Sequence, residues 1–366
     1  ESSMLKVKGP EIRQAISVWR EQEYAGDEVS AAGLPQVQVG LEGRSDLLSA
    51  NREAYDRGDR VDAVVTISQQ IYDFGALGAR KDATVAQSAS AYWALQATRE
   101  SVLFELVDAY YAVNRYRNLI GAATLNRDAH NALVQKVRSR VEAGAGSSAD
   151  LLKAESQAVT AYATLVGFQG QLEEARNRYL ELFHDVPGQL PLPPASAVLP
   201  LVREGAALED WRDHPEYQSV LESLEASRLQ IEGVEKGALP ALSLNLQGRR
   251  FDVNRPERAE NDLALIVSVD YDLYSGGADK ARAQQARAAS ARSQAELTQV
   301  MGEIRRESAI AWSAMDISQR QLDVAVANVT SNEKVINAFR KQFEVGTRRL
   351  KDLLDAQEDL FQSRRN

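Results

Sequence analysis

Two carboxylates stand three residues apart near the C-terminal end of the sequence, at Asp352 and Asp355, just after the basic pair Arg348 and Arg349. Residues three apart on a helix share one face, so the two acids can act together on a cation or on a guanidinium. The alternative is a solvated acidic first turn, which the helix dipole favours. The spacing alone leaves both possibilities open.

These acids follow a predicted break between two helices. An apolar repeat reaches Phe343, and Gly346 interrupts it where a helix C-terminus needs a residue of positive φ. A second helix then restarts with acids near its beginning, as the helix dipole favours. The segment 341–357 is therefore predicted to be the tip of a helical hairpin.

The same pattern occurs 202 positions earlier in the chain. Upstream of residue 73 the offset becomes 205, as in the pair Leu34 and Leu239. A repeat of about 200 residues indicates duplication rather than a solenoid of short units. We assign the two copies to residues 1–205 and 206–366. The matching tip segments are 141–144 with 343–346, and 150–155 with 352–357.

Alternation of apolar and polar residues predicts two strands in each copy. Such strands of about ten residues are typical of outer-membrane barrels, although a half-buried sheet in a soluble domain shows the same pattern. Two isolated hairpins are marginal in water, and four strands cannot close a barrel. The predicted strands are about 36–46, 61–72, 241–251 and 263–274. The residues assigned to a lipid-facing side are Leu244, Leu246, Leu265, Val267 and Val269.

A very long helix follows each hairpin, with a largely apolar seam at alternating spacings of four and three. A coiled coil facing a wet interior explains the small and polar members of this seam, and a plain antiparallel bundle explains it equally well. The predicted helices are about 77–142 and 150–184 in the first copy, and about 279–345 and 349–366 in the second.

Composition excludes several classes of function. The 366 residues carry a net charge of −9, which speaks against nucleic acid as a partner. The chain has no cysteine, which suits an oxidising compartment without disulfides and many cytosolic proteins as well. Its three histidines show no metal-ligand spacing, and no glycine-rich phosphate loop is present, so neither an enzyme nor a cofactor is predicted. Because Asn366 corresponds to Thr164, inside a helix of the first copy, we expect the natural C-terminus to lie further on.

Taken together, these features resemble the TolC family of outer-membrane channel proteins across essentially the whole chain. The marks are the duplicated halves, the strand-to-helix joins at 72–75 and 274–277, and the tip at 345–356. The resemblance implies a mainly α fold with a membrane β-barrel: a homotrimer whose twelve-stranded barrel in the outer membrane continues into an α-helical periplasmic tunnel. It implies export from Gram-negative cells, with outer-membrane lipid, a periplasmic adaptor (membrane fusion) protein and an inner-membrane transporter, ABC-type or proton-driven, as partners.

Two alternatives stay open. The resemblance does not decide between drug efflux and type I protein secretion. The chain could also be a periplasmic coiled-coil adaptor or structural protein without a membrane barrel. Extraction only with detergent, as a heat-sensitive oligomer, distinguishes the channel from that second possibility.

The family resemblance also implies roles at the tips. Residues matching Arg348 and Asp150 form links that hold the tunnel shut, and Phe343 stands where the family's gating tyrosine lies, so one hydroxyl link is missing. Three-fold symmetry would gather Asp352 and Asp355 into a ring of carboxylates that could bind cations. The hairpin ends would meet the adaptor. The residues assigned to that docking are Gly144, Ser148, Gly346, Thr347 and Arg349.

Overall fold

The computed structural model describes residues 9–44, 60–191, 210–254, 257 and 259–366. Within those ranges, two β-strands, a long helix and a second helix follow one another, and this order occurs twice. The elements are α1 (Pro10–Ala31), β1 (Gln36–Arg44), β2 (Arg60–Tyr72), α2 (Ala76–Glu142), α3 (Ser148–Phe183), a 3-10 turn (Asp210–Asp213), α4 (Pro215–Lys236), β3 (Ala241–Arg250), β4 (Asn261–Asp270), α5 (Ala278–Glu344) and α6 (Leu350–Arg365).

The chain divides into two compact units, and neither follows the predicted repeats. The first consists of Glu1–Gly9, Arg99–Glu209 and Arg305–Asn366. The second consists of Pro10–Thr98 and Asp210–Ile304. We call them the helical unit and the sheet unit. Each unit contains residues from both predicted copies.

The four strands of the sheet unit form one antiparallel sheet in the order β1-β2-β3-β4. Pairing of β2 with β3 joins the two predicted hairpins, with Ile67 opposite Leu246. On one face lie the apolar residues predicted to face lipid, and Leu244 is opposite Val267 in the register. Val267 is 66% exposed and Leu265 is also 66% exposed. The sheet thus displays an apolar face that the described residues do not cover.

The opposite face of the sheet is polar. The hydroxyl oxygens of Ser243 and Ser268 are 2.7 Å apart, across β3 and β4. Arg249 makes ion pairs with Glu42 at 3.1 Å and with the buried carboxylate of Asp62 at 3.5 Å. The alternation in the sequence therefore predicted correctly which side chains share a face.

One predicted strand boundary is wrong. We expected the last strand to reach residue 274, but β4 ends at Asp270. Asp270 pairs with Ala241, the first residue of β3. Pro240 precedes Ala241 and has no backbone N–H to donate, so β3 offers no partner to the residues after Asp270. Residues 45 and 46, assigned to the end of the first strand, lie outside the described residues.

Sharp joins lead from the sheet into the long helices. Gly276 and Gly277, before α5, have φ of 65° and 87°, and the equivalent pair before α2, Phe74 and Gly75, has φ of 55° and 85°. Two successive left-handed residues suit glycine, and Phe74 adopts this conformation at a steric cost. The carboxylate of Asp73 accepts hydrogen bonds from the backbone N–H groups of Gly75 and Leu77 and so caps the start of α2.

One core cluster of the helical unit is shared by four helices. Leu133 and Val137 of α2 pack in the same cluster as Ile336 of α5 and Leu354 of α6, with Ala154 of α3 beside them. Among the described residues, no helix combines the length and the apolar character needed to cross a membrane.

Candidate gate and docking tips

The two hairpin tips have the same backbone geometry, 202 residues apart. Gly144 has φ of 70° and Gly346 has φ of 82°, the conformation that glycine supplies at a helix C-terminus. The N–H of Ala145 donates to the carbonyl of Arg140 at 2.8 Å, and the N–H of Thr347 donates to that of Gln342 at 2.9 Å. The predicted helix breaks at these two glycines are therefore confirmed.

The two return helices begin differently. Ser147 is the N-cap of α3, and its hydroxyl accepts a hydrogen bond from the N–H of Ala149 at 3.1 Å. Arg349 is the N-cap of α6 and makes no side-chain capping bond. Ser148, which we assigned to the tip, is the first residue of α3. The cap at Ser147 was missed, although a serine three residues before Asp150 is a helix-start signal.

Asp352 is held by bases of its own tip. Its carboxylate lies 3.8 Å from Nη1 of Arg348 and 3.6 Å from Nη2 of Arg349. The guanidinium of Arg348 also stacks over the Phe339 ring, with Cζ 3.7 Å from the ring centroid. Asp150 is exposed and has no ion-pair partner among the described residues. The structure therefore does not bring Arg348 and Asp150 together within one chain.

Asp355 has a separate base. Nζ of Lys351 lies 2.7 Å from its carboxylate, and this hydrogen bond raises the pKa of Lys351 above its ordinary value. Asp352 and Asp355 thus share a helix face, but each is neutralised by its own neighbours. No group of three or more His, Cys, Asp or Glu side chains suited to a metal ion occurs in the described part of the chain. A carboxylate ring between copies stays a prediction.

Phe343 lies in the shared core and is 6% exposed. Cζ of Arg140, on α2, is 4.4 Å from the centroid of its ring. Nη2 of the same arginine donates to the backbone carbonyls of Phe343 at 2.6 Å and Glu344 at 3.0 Å. Arg140 therefore caps the end of α5, where helical carbonyls lack partners within their own helix.

A second base of α2 reaches the same helix end. Nζ of Lys136 is 2.5 Å from the carboxylate of Glu344. This hydrogen bond, with the charge of Lys136, lowers the pKa of Glu344. The sequence analysis missed Lys136 and Arg140, because basic residues near a helix end indicate only favourable dipole interactions and not a partner helix.

A buried polar layer lies deeper in the helical unit. Gln357 of α6 donates to the side-chain oxygen of Asn126 on α2 at 3.1 Å and accepts from Arg340 of α5 at 3.2 Å. One turn along α2, His130 is 2% exposed. Burial lowers the pKa of His130, and the charge of Glu358 partly opposes that change.

The residues predicted to dock a partner are accessible. All five are exposed, and they lie at or beside the two turns. They are Gly144, Ser148, Gly346, Thr347 and Arg349. Their role in docking stays a prediction.

Comparison with known proteins agrees with this architecture. A sequence model of the outer membrane efflux protein family matches residues 2–182 and 213–366. The outer membrane efflux protein BepC of Brucella suis biovar 1 is 23% identical over 250 residues, which cover 68% of this chain and 55% of BepC. The proteases secretion protein PrtF of Dickeya chrysanthemi is 31% identical over 256 residues, which cover 65% of this chain and 54% of PrtF. The chain spans about half the length of these curated relatives.

Solved structures share the fold. The outer membrane protein VceC of Vibrio cholerae superposes with a TM-score of 0.86 at 15% sequence identity, over 100% of this chain and 89% of VceC. This match confirms the predicted fold, and the family match confirms the predicted family of outer-membrane proteins. This chain belongs to the outer membrane efflux protein family.

Proposed function

We propose that three copies of this protein form the exit duct of a tripartite export system. Twelve strands, four from each copy, would close a barrel wide enough for a channel in the outer membrane. The helical units would continue the duct into the periplasm. Cargo would arrive from an inner-membrane transporter through a periplasmic adaptor.

The observation that carries this proposal is the two-faced sheet. Its apolar face exposes branched side chains on β1, β2 and β4, including Val39 at 72% and Val269 at 67%. An exposed apolar surface of this kind is unfavourable in water and suits hydrocarbon. The polar face, with Arg249 and Asp62, suits a water-filled lumen. β1 and β4 are edge strands, so each has unpaired backbone N–H and C=O groups along its outer side. Strands of further copies of the chain would pair with these groups.

Internal duplication supports assembly from copies. Phe361 of α6 is 5% exposed and packs with Ala123 of α2 and Leu165 of α3. Its equivalent in the first copy is Val159 of α3, which is 68% exposed. Val159 of one copy would pack against the next copy, and repetition of that contact would close a ring.

The tips would form the inner gate. Asp150 lacks an ionic partner in the described part of the chain, and Gly146 and Ser147 stand where the second tip has Arg348 and Arg349. We propose that Asp150 of one copy faces Arg348 of its neighbour, and that Phe343, Asp352 and Asp355 lie at the same constriction. The exposed turns at Gly144 and Gly346 would dock the adaptor, as helical hairpins dock into grooves between helices.

The nature of the cargo follows from relatives only in outline. BepC is named for efflux and PrtF for the secretion of proteases. The proposal therefore covers small molecules and secreted proteins. Export assays with a dye and with a reporter protease in the same deletion background would separate the two.

The barrel is tested by a matched pair of substitutions on neighbouring residues. Val267→Arg places a charge on the apolar face and is expected to cost about 2–4 kcal/mol near the bilayer midplane. Ser268→Arg places it on the polar face and should be mild. The measurement is the yield of detergent-extracted trimer, followed by single-channel recording. Equal tolerance of both substitutions, or a monomer that needs no detergent, would contradict the proposal.

A further inference from the structure

Helix α4 of the sheet unit contacts both long helices. On one side, the hydroxyl of Ser219 donates to the backbone carbonyl of Ser90 on α2 at 3.0 Å. On the other side, Nη2 of Arg287 on α5 lies 2.6 Å from the carboxylate of Glu235. Ala226 of α4 is 1% exposed. Helix α4 therefore lies between α2 and α5.

Helix α1 corresponds to α4 in the first copy, 205 positions earlier, and the described residues cover it on one side only. On that side, Trp19 packs edge-on against Tyr92 of α2, with the ring centroids 6.0 Å apart. No residue of α1 is buried. The positions that match the α2-facing side of α4 are exposed in α1. They include Gln14, Glu21 and Glu28.

Helix α5 exposes the face that α2 buries. In α2, small side chains at spacings of three and four form a buried row on the side that contacts α4. The row consists of Ala79, Ala83, Ala86 and Ser90. The equivalent residues of α5 are exposed. They are Ala281, Gln285, Ala288 and Arg292. In the described part of the sheet unit, α1 and α5 thus each have an uncovered face at matching positions of the repeat.

The repeat also gives the register in which these two faces would meet. Within the chain, Arg80 of α2 lies against α4, where a Cβ at Gly233 would be 3.0 Å from its Cγ. The equivalents of these residues are Arg282 on α5 and Glu28 on α1. A close contact that suits glycine is thus replaced by a guanidinium opposite a carboxylate. Arg282 bonds to Asp279 of its own helix at 2.5 Å, and this exposed pair leaves guanidinium N–H groups for a second acceptor.

A second matching pair supports the same register. The contact between Ser90 and Ser219 corresponds to Arg292 on α5 and Gln14 on α1. The amide oxygen of glutamine accepts hydrogen bonds, and a guanidinium donates them. Between these pairs, α1 adds the carboxylate of Glu21. An acidic face would therefore meet a basic one, whereas two α1 faces or two α5 faces would repel each other.

We propose that the acidic face of α1 binds the basic face of α5 on a second copy of this chain, with Glu28 opposite Arg282. This inference rests on the proposed assembly of copies. Helix α1 would then lie between α2 of its own chain and α5 of the next copy, as α4 lies between α2 and α5. The junction between α4 and α2 is made by small side chains, whereas the junction between copies is ionic and weakens as salt screens it.

Charge reversal gives the first test. Glu28→Arg or Arg282→Glu alone places like charges opposite each other and should raise the dissociation constant between copies about tenfold. The combined variant restores opposite charges and should recover most of the affinity, which a misfolded variant would not do. Native mass spectrometry of the detergent-extracted protein at a series of concentrations measures the assembly. A combined variant that assembles no better than either single variant would overturn the inference.

Glu23→Arg is the matched control for charge reversal. Glu23 is also exposed, but it stands one helical turn after Trp19, on the side of α1 that faces α2. Its reversal should leave the dissociation constant unchanged. A loss of assembly equal to that of Glu28→Arg would show that the charge of the helix, and not this face, is responsible, and would contradict the inference.

Cross-linking gives the second test, and the absence of cysteine leaves no background. Glu28→Cys with Arg282→Cys should form a disulfide between chains under mild oxidation, whereas Glu23→Cys with Arg282→Cys should not. A disulfide within one chain, or assembled copies without any link, would overturn this inference and leave the proposed duct intact. A protein that stays monomeric at every concentration would overturn the proposed duct as well.

Discussion

The two hairpins of the helical unit share a backbone pattern but differ in what surrounds them. Leu354 of α6 is 5% exposed, whereas the equivalent Leu152 of α3 is 68% exposed. Phe361 and Val159 show the same contrast. At these positions the return helix of the second hairpin packs inside its own chain, whereas that of the first is exposed. Identical sequence patterns therefore have different partners, one within the chain and the other, we propose, on the next copy.

Polar residues follow the same division. Arg138 pairs with Glu155 at 2.8 Å in the first hairpin, and the equivalent Arg340 bonds to Gln357 at 3.2 Å in the second. Glu155 is half-buried and Gln357 is buried. A buried carboxylate is costly, and an amide both accepts from Arg340 and donates to Asn126. The change from glutamate to glutamine thus accompanies enclosure within the chain.

The largest effect is expected from truncating the two equivalent leucines. Leu354→Ala removes a core side chain of the shared cluster and should lower the free energy of unfolding by about 2–5 kcal/mol. The measurement is urea unfolding of the helical signal in detergent. A change below about 1 kcal/mol would show that Leu354 is not enclosed.

Leu152→Ala is the matched control. Because Leu152 is exposed in the single chain, its truncation should change unfolding of the monomer by no more than about 0.5 kcal/mol. It should, however, weaken association of copies, which native mass spectrometry reports as a shift of the trimer fraction with concentration. If the two leucines behaved alike in both measurements, the contrast between the hairpins would fail.

A second contrast is between His130 and its equivalent, Asn332. His130 is buried with a lowered pKa, beside a small cavity of about 80 Å³ lined by Glu358 and Arg365 of α6 and by uncharged residues of α3. Asn332 is partly exposed and donates to the carbonyl of Asp359 at 3.3 Å. Only the first hairpin therefore has an ionisable side chain at this position, and burial lowers the pKa of that histidine.

The sign of the pH effect follows from this lowered pKa. In the unfolded chain His130 binds a proton below about pH 6.5, and in the folded chain it does so only at lower pH. The contribution of His130 to the free energy of unfolding is therefore fully present above pH 6.5. It falls as the pH drops towards the folded-state pKa of His130 and is constant below that pKa. His130→Asn copies the second hairpin and should remove this slope. Urea unfolding between pH 4 and pH 8, at intervals of about one unit, measures it, and parallel curves for both proteins would exclude His130 as the cause.

The sequence predicted the repeated local features well. These features depend on neighbours within a few residues, so the local sequence pattern indicates them directly. Examples are the helix breaks at Gly144 and Gly346 and the alternation of apolar and polar residues around Val267. Which of two matching side chains is buried and which is exposed was not predictable in this way. Leu152 and Leu354 occupy matching positions, and only the packing of distant helices decides which is enclosed. The same reason explains why the sequence did not predict the contacts of Lys136 and Arg140 with the end of α5, which lies about 200 residues away in the sequence.

A third prediction contrasts the acids at the tips. Asp150 has no ion-pair partner among the residues that the structure describes, whereas Asp352 is held by two arginines. Asp150→Ala with Arg348→Ser should remove ionic links between copies and raise single-channel conductance. Arg349→Ser alone should change conductance little, since Arg349 is largely exposed and its pair with Asp352 is weak. Equal conductance in all variants would place the constriction elsewhere.

The same recordings test the carboxylate ring. Asp352→Ala with Asp355→Ala should abolish inhibition by multivalent cations, and Asp355→Ala should account for more of the loss than Asp352→Ala. The reason is exposure, because the Asp355 side chain is 58% exposed and that of Asp352 is 23% exposed. Unchanged block in the double variant would exclude these acids as the cation site.

The smallest effect is expected at the helix starts, where only the first tip has a side-chain cap. Ser147→Ala removes the hydroxyl that accepts from the N–H of Ala149 and should lower the free energy of unfolding by about 1 kcal/mol. Arg349→Ser gives α6 the same cap but removes an exposed ion pair worth about 0–1 kcal/mol. The net gain in the free energy of unfolding should therefore be about a few tenths of a kcal/mol. Urea unfolding of both variants, and of their combination, measures the difference. Because the two caps lie on different helices, their effects on the free energy of unfolding should add. If Ser147→Ala cost no more than Arg349→Ser changes, water would satisfy the first N–H groups of α3 as well as the Ser147 hydroxyl does.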